Sequence, residues 1–203
     1  MKFFLVVVFM IMMSTGYSLK CISCTGADQT PCTGAAVTCA ANEDVCTSIY
    51  TETKMTVLGL TTYSHVRGCG QSSDCNNPKS LSNQFISITL NTVCCQTDEC
   101  TPTAPTALSE QTDKNGLACP SCFTITSSTC QPDTRIQCTG NENRCTSYSI
   151  STVTDPSEPI LAMAGCVTEN MCSNYDGHAT TSTTGQMKIT IECKNAMKYH
   201  GKI

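Results

Sequence analysis

Outside one apolar run near the N-terminus, hydrophobic and polar positions in this chain alternate, and the alternation predicts strands. From Phe85 to Cys95, Ile86, Ile88, Leu90 and Cys94 share one parity, and Ser87, Thr89 and Asn91 share the other. Met187, Ile189, Ile191 and Cys193 repeat the pattern against Lys188, Thr190 and Glu192. Successive side chains of a strand point to opposite faces, so a period of two predicts one buried face, with the half-cystine on it both times. Val45–Thr53 and Leu60–Cys69 are Thr- and Tyr-bearing runs around Lys54–Gly59, and Cys145–Val153 and Ile160–Val167 flank Asp155, Pro156 and Pro159 in the same way. Both read as hairpins. No later segment offers ten residues of helical spacing, so the fold class expected is all-β.

The early run, Phe3 to Met13, follows Lys2 and precedes small residues at Gly16 and Ser18. Residues 1–18 therefore read as a secretory signal peptide, too short to span a bilayer. The 18 cysteines all lie beyond it. They form one ladder twice. From Cys21 through Cys24, Cys32, Cys39, Cys46, Cys69, Cys75 and Cys94 the intervening gaps are 2, 7, 6, 6, 22, 5 and 18 residues. From Cys119 through Cys122, Cys130, Cys138, Cys145, Cys166, Cys172 and Cys193 they are 2, 7, 7, 6, 20, 5 and 20. Asn42-Glu43 before Cys46-Thr47-Ser48 matches Asn141-Glu142 before Cys145-Thr146-Ser147. The repeat predicts two modules, 19–101 and 117–203, joined by a Thr-, Pro- and Ala-rich linker over 102–116 that Pro102 and Pro105 hold extended.

Composition explains why cysteine is used so heavily. The signal removes three of five phenylalanines and one of six tyrosines, and the chain has no tryptophan. A module of about 80 residues with so few large apolar side chains is marginal on a hydrophobic core alone. An even cysteine count behind a signal peptide predicts nine disulfides in an oxidising compartment. Closing a loop of about 30 residues contributes roughly 3 to 4 kcal/mol in the chain-entropy picture, and several such links together exceed the usual margin of folding. Without Lys2 the product carries 11 basic and 16 acidic residues, a net charge near −5. That balance excludes a phosphate-backbone or anionic-lipid partner, both of which attract clustered Lys and Arg.

Cysteine and histidine also invite chemical readings. Paired Cys-x2-Cys could hold zinc, but an interleaved ladder of an exported chain favours disulfides, so no metal and no cofactor are expected. Cys119-Pro120-Ser121-Cys122 looks like a redox motif, which requires a helix start that this segment lacks. The only histidines, His65, His178 and His200, lie outside any recognised catalytic motif. His65 beside Val66 is expected at a strand surface. The reading is of a non-enzyme.

The opening Cys-x2-Cys and the run Cys94-Cys95 with Cys100 five residues on resemble the three-finger family typified by the urokinase receptor and the lymphocyte antigen 6 proteins. The resemblance spans nearly all of the chain after the signal and implies two tandem disulfide-rich three-finger domains. It also implies the pairs Cys21–Cys46, Cys24–Cys32, Cys39–Cys69, Cys75–Cys94 and Cys95–Cys100, then Cys119–Cys145, Cys122–Cys130, Cys138–Cys166 and Cys172–Cys193. There are two departures: Thr101 stands where the family has Asn, and the second module lacks the closing Cys-Cys-x4-Cys, which implies a looser final loop.

Within the family, two secreted groups share this layout. Cys21-Ile22-Ser23-Cys24-Thr25, Cys32-Thr33-Gly34, Cys138 to Asn143 and the Cys100-Thr101-Pro102 exit are similar to amphibian sodefrin precursor-like factors, which are courtship signals. The stretch Asn115 to Cys122 is similar to gamma-type phospholipase A2 inhibitors, the alternative. The first likeness extends further along the chain and leads. Either implies an extracellular protein as partner, a receptor or a secreted phospholipase A2, with no membrane anchor because no apolar tail follows Cys193. Contact residues are expected at hairpin tips: Met55, Val57, Leu58 and Leu60 in the first module, and Pro159, Ile160 and Leu161 in the second.

Overall fold

A computed structural model describes residues 18–199 apart from 29, 128, 153–158, 174–179 and 185–186. The chain is all-β, with two 3-10 turns, at Ser72–Asp74 and Glu169–Met171, and no α-helix among the described residues. The first module contains β1 (Lys20–Gly26), β2 (Ala35–Thr38), β3 (Val45–Met55), β4 (Leu60–Gly70), β5 (Lys79–Ser82) and β6 (Ile86–Cys95). The second contains β7 (Lys114–Thr124), β8 (Thr134–Thr139), β9 (Glu142–Thr152), β10 (Pro159–Thr168), β11 (Thr180–Thr184), β12 (Met187–Asn195) and β13 (Met197–Lys198). In each module a central strand is flanked by two antiparallel partners. β3 lies between β4 and β6, from Val45↔Gly70 and Cys46↔Cys95 out to Met55↔Leu60 and Met55↔Ile86. β9 lies between β10 and β12.

Nine disulfides pin the base of these fingers. In the first module they are Cys21–Cys46, Cys24–Cys32, Cys39–Cys69, Cys75–Cys94 and Cys95–Cys100. In the second they are Cys119–Cys145, Cys122–Cys130, Cys138–Cys166 and Cys172–Cys193. Sulfur makes up much of the interior: nine of the seventeen buried apolar residues are half-cystines, so the cross-links are the core as well as its staples. The alternation in β6 and β12 has unequal depth. Cys193 is buried, whereas Cys94 is half-covered and Thr92, on the same face, takes the buried position.

The end of the second module shows how a missing disulfide is replaced. In the first module Cys95–Cys100 folds the chain back, and the Glu99 amide donates to the Lys20 carbonyl at 2.7 Å. In the second, Tyr199 stands six residues after Cys193, as Cys100 does after Cys94, and its amide donates to the Gly116 carbonyl at 2.8 Å. Between them β13 pairs with β7 through Met197↔Ala118 and Lys198↔Leu117. Backbone hydrogen bonds close this loop where the first module uses a disulfide. The same contacts draw 114–116 out of the expected linker and into β7, with Asn115 Nδ2 donating to the carbonyls of Gly140 and Glu142 at 3.0 and 2.7 Å.

The modules are joined by more than the linker. β5 pairs with β10 through Leu81↔Val167 and Ser82↔Cys166, making one sheet path from β2 to β11. The cluster of Leu81, Met163, Val167, Cys172 and Cys193 straddles the boundary, with Ile88 against it from the first module and Phe123 from the second. Gly165 makes this approach possible, since a Cβ there would meet the Ser82 carbonyl and the Asn83 side chain. Asn83 Oδ1 accepts from the amides of Phe85 and Ile86 to shape the β5–β6 turn, while its Nδ2 donates to the Cys122 carbonyl at 3.4 Å. Glu142, a buried carboxylate, accepts from Ser80 Oγ at 3.1 Å and Ser82 Oγ at 2.7 Å across the same seam. A buried carboxylate is tolerated only when its lone pairs are met, and these are met by hydroxyls from the other module together with the amide and hydroxyl of Thr139.

Candidate binding surface

The β3–β4 hairpin carries the most prominent exposed apolar group. Gly59 adopts a positive φ of 60°, which lets the four residues after Met55 reverse the chain, and the Leu58 amide donates to the Met55 carbonyl at 3.2 Å. The neighbouring finger braces the tip, with the Thr56 amide donating to the Phe85 carbonyl at 2.8 Å. On this support Val57 is 71% exposed, Leu58 70% and Leu60 46%, while Met55 is half-buried. Adjacent exposed branched side chains on a held turn form an apolar knob that can enter a partner with little ordering cost.

In the second module, Leu161 is half-covered and packs against the core cluster around Met163 and Val167. There β10 runs between β9 and β7, through Leu161↔Ile150 and Ala162↔Thr124, which covers part of the side chain. The side chains of Pro159 and Ile160 lie outside the described residues. Ile125, which sequence reasoning passed over, is 64% exposed at the tip following β7. An isolated Ile in a Thr-rich stretch has no periodic signal to mark it.

Docking of the modules also creates a cleft of about 540 Å³. Its walls include Glu52 and Lys54 of β3, Ser80 and Ser82 of β5, linker residues Leu108 to Thr112, and Glu142. Lys54 Nζ lies 2.8 Å from Glu110 Oε2 and 3.2 Å from Glu52 Oε1. The hydrogen bond to Glu110, and secondarily that to Glu52, hold the Lys54 ammonium above its ordinary value, against an opposing effect of burial. No sequence pattern announces this cleft, because its walls come from both modules and the linker.

The sulfur clusters Cys21, Cys39, Cys69 and Cys119, Cys138, Cys166 consist entirely of disulfide-bonded atoms, which offer no thiolate to a metal. Cys119 and Cys122 belong to different disulfides and lie on a strand. His65 is not at the surface as expected: it is 1% exposed, edge-on to the Tyr50 ring at 4.9 Å. Neither ring nitrogen has a hydrogen-bond partner among the described residues. The misreading has a simple cause. β1 and β3 flank β4, through Gly26↔His65 and Tyr50↔His65, and the Tyr50 ring packs against the imidazole from the directly opposed position. Burial, followed by the charge of Glu52, raises the Tyr50 phenol. His178 and His200 lie outside the described residues. No helix among the described residues is long and apolar enough to cross a membrane.

The u-PAR/Ly-6 domain pattern matches the chain twice, at residues 17–103 and 115–198. This chain belongs to the u-PAR/Ly-6 family. Its fingers and disulfide-built bases are thus those of two such domains in tandem. Among relatives, a phospholipase A2 inhibitor gamma subunit of Elaphe quadrivirgata is 34% identical over 167 residues, 81% of each chain. Phospholipase A2 inhibitor NAI of Notechis ater is 29% identical over the same share of both chains. A phospholipase A2 inhibitor gamma subunit of Laticauda semifasciata is 29% identical over 161 residues, 78% of this chain and 86% of that one. The crystal structure of mouse TEX101 is 13% identical over 87% of this chain and 97% of that one, with a TM-score of 0.34.

Proposed function

We propose that this u-PAR/Ly-6 protein is secreted, is not an enzyme, and binds and blocks a secreted phospholipase A2. The observation that carries the reading is the 34% identity to a phospholipase A2 inhibitor gamma subunit, sustained over 81% of both chains and both modules. The courtship-signal reading, placed first on the sequence, rests on short motifs, whereas the relatives named above favour the alternative. Nine disulfides fit an oxidising compartment. The mechanism is occlusion by a preformed surface. The Val57–Leu58 knob is the contact we assign first, with Met55 and Leu60 as its shoulders, and the net charge near −5 favours encounter with basic enzymes.

Titration of the purified chain into a panel of basic and acidic secreted phospholipases tests this. Turnover of at least one basic enzyme should fall to its floor at near-equimolar inhibitor. Replacing Val57 and Leu58 by Asp should weaken inhibition by about tenfold or more, the effect of losing a central apolar anchor, while the melting temperature stays put. Full activity of every enzyme at saturating inhibitor would refute the reading. The courtship alternative, favoured by the Cys100-Thr101-Pro102 exit, predicts instead sexually dimorphic expression in a skin or cloacal gland.

A further inference from the structure

We infer that the inter-module linker is a mucin-type O-glycosylation site, with Thr103 and Thr106 as the acceptors. Residues 101–112 form no helix or strand, yet their burial is periodic. Pro102 and Pro105 are buried, Leu108 is half-covered, and every other residue from Thr101 to Glu110 is exposed. A repeat of three is the period of the polyproline II helix, which proline favours and which has no internal hydrogen bonds. Two further contacts hold the strap: Asn91 Nδ2 donates to the Thr106 carbonyl at 2.9 Å, and Lys54 pairs with Glu110.

The same period places Thr103, Thr106 and Ser109 on one outward stripe. Ser109 Oγ already accepts from Gln111 Nε2 at 3.3 Å, whereas no hydrogen bond among the described residues engages the Thr103 and Thr106 hydroxyls. Several exposed threonines elsewhere differ. Thr30, Thr126 and Thr129 have hydroxyls tied to Asp28, Thr124 and Ser127, and Thr25, Thr38 and Thr62 lie in paired strands. A glycosyltransferase reads an acceptor as an extended backbone outside helix and sheet, with the hydroxyl outward. Thr/Ser-rich segments with Pro have the composition such enzymes modify, and this strap also has the geometry.

The chemistry requires a host polypeptide glycosyltransferase and a nucleoside-diphosphate N-acetylhexosamine. The threonine Oγ1 bonds to the anomeric carbon, the bond from that carbon to the nucleotide breaks, and the nucleoside diphosphate leaves as the hydroxyl proton passes to the enzyme's base or the leaving phosphate. Nothing is oxidised or reduced. Sugars there would stand beside the cleft, whose wall includes Leu108 to Thr112.

The inference uses secretion but not phospholipase binding. The test is made on full-length chain expressed with its own leader in a eukaryotic secretory cell line and collected from the medium. Intact mass should show hexosamine-containing increments, and electron-transfer fragmentation should assign them to Thr103 and Thr106. The T103V/T106V chain, checked for intact disulfides by mass, should lose them. Bare linker threonines on the secreted chain, increments that survive in the variant, or sugars confined to strand threonines would each overturn the assignment. Inhibition assayed on glycosylated and enzymatically stripped protein addresses the phospholipase reading separately.

Discussion

Individual residues set the tolerance of the seam between modules. Gly165 faces the Ser82 carbonyl so closely that a single methyl group must push the strands apart. Replacement by Ala should destabilise the protein by about 1–3 kcal/mol, the range for overpacking a close contact, and weaken amide protection at Leu81, Ser82 and Val167. An unchanged melting temperature and exchange pattern would mean that β5 and β10 are not paired. Asp44 shows how the solvent-facing turns respond to pH. Its Oδ1 accepts from the Ser72 amide at 2.7 Å, and hydrogen bonding from Ser72 holds the carboxyl below its ordinary 3.8. A depressed folded-state pKa means the contribution is complete above the unfolded value and is lost as pH falls through the folded one. The Ser72 amide resonance should therefore titrate with a midpoint below 3.8, and a midpoint at or above it would contradict the hydrogen bond. His65 belongs to this scale too. A histidine beside a valine in a strand gives no parity signal of its own, so only neighbouring strands decide its burial.

At the level of elements, alternation and turn chemistry made most of the fold legible. The long hairpins β3–β4 and β9–β10, and strands β6 and β12, lie where period two places them, because a half-buried strand must alternate to hide one face. What alternation could not reveal was β5, a four-residue Lys-Ser-Leu-Ser segment whose single apolar side chain, Leu81, anchors the second module. Nor could it show β13, whose two residues become a strand only by pairing with β7. The exposure of Val57 and Leu58 was readable from their place in a turn, whereas the half-burial of Leu161 was not, because a residue beside a turn and one packed between neighbouring strands look alike in sequence. The tail yields a direct prediction. Truncation after Asn195 removes β13 and the Ala196 and Tyr199 amide contacts to Asn143 and Gly116. Each lost hydrogen bond costs about 1 kcal/mol, so stability should drop by roughly 2–3 kcal/mol, with loosened protection confined to β7 and the start of β9. Full stability of the truncated chain would leave the open end of the second module without an explanation.

Across the whole molecule, covalent sulfur replaces the aromatic core that a chain of this composition cannot build. The cysteine ladder made the two-module plan visible, while the relation between the modules was hidden, since it depends on surface fit among Leu81, Gly165 and Glu142. The linker, read as a spacer, is a seated strap. Together these fix one body with an apolar knob at one finger tip and a cleft at the seam. The claim beneath all of this is the pairing itself. Peptide mapping of the native, unreduced secreted protein by mass spectrometry tests it most directly. The account predicts nine intramodular links, from Cys21–Cys46 to Cys172–Cys193, and no free thiol. Free thiols, bound metal, or any cystine linking 19–101 to 117–203 would contradict it.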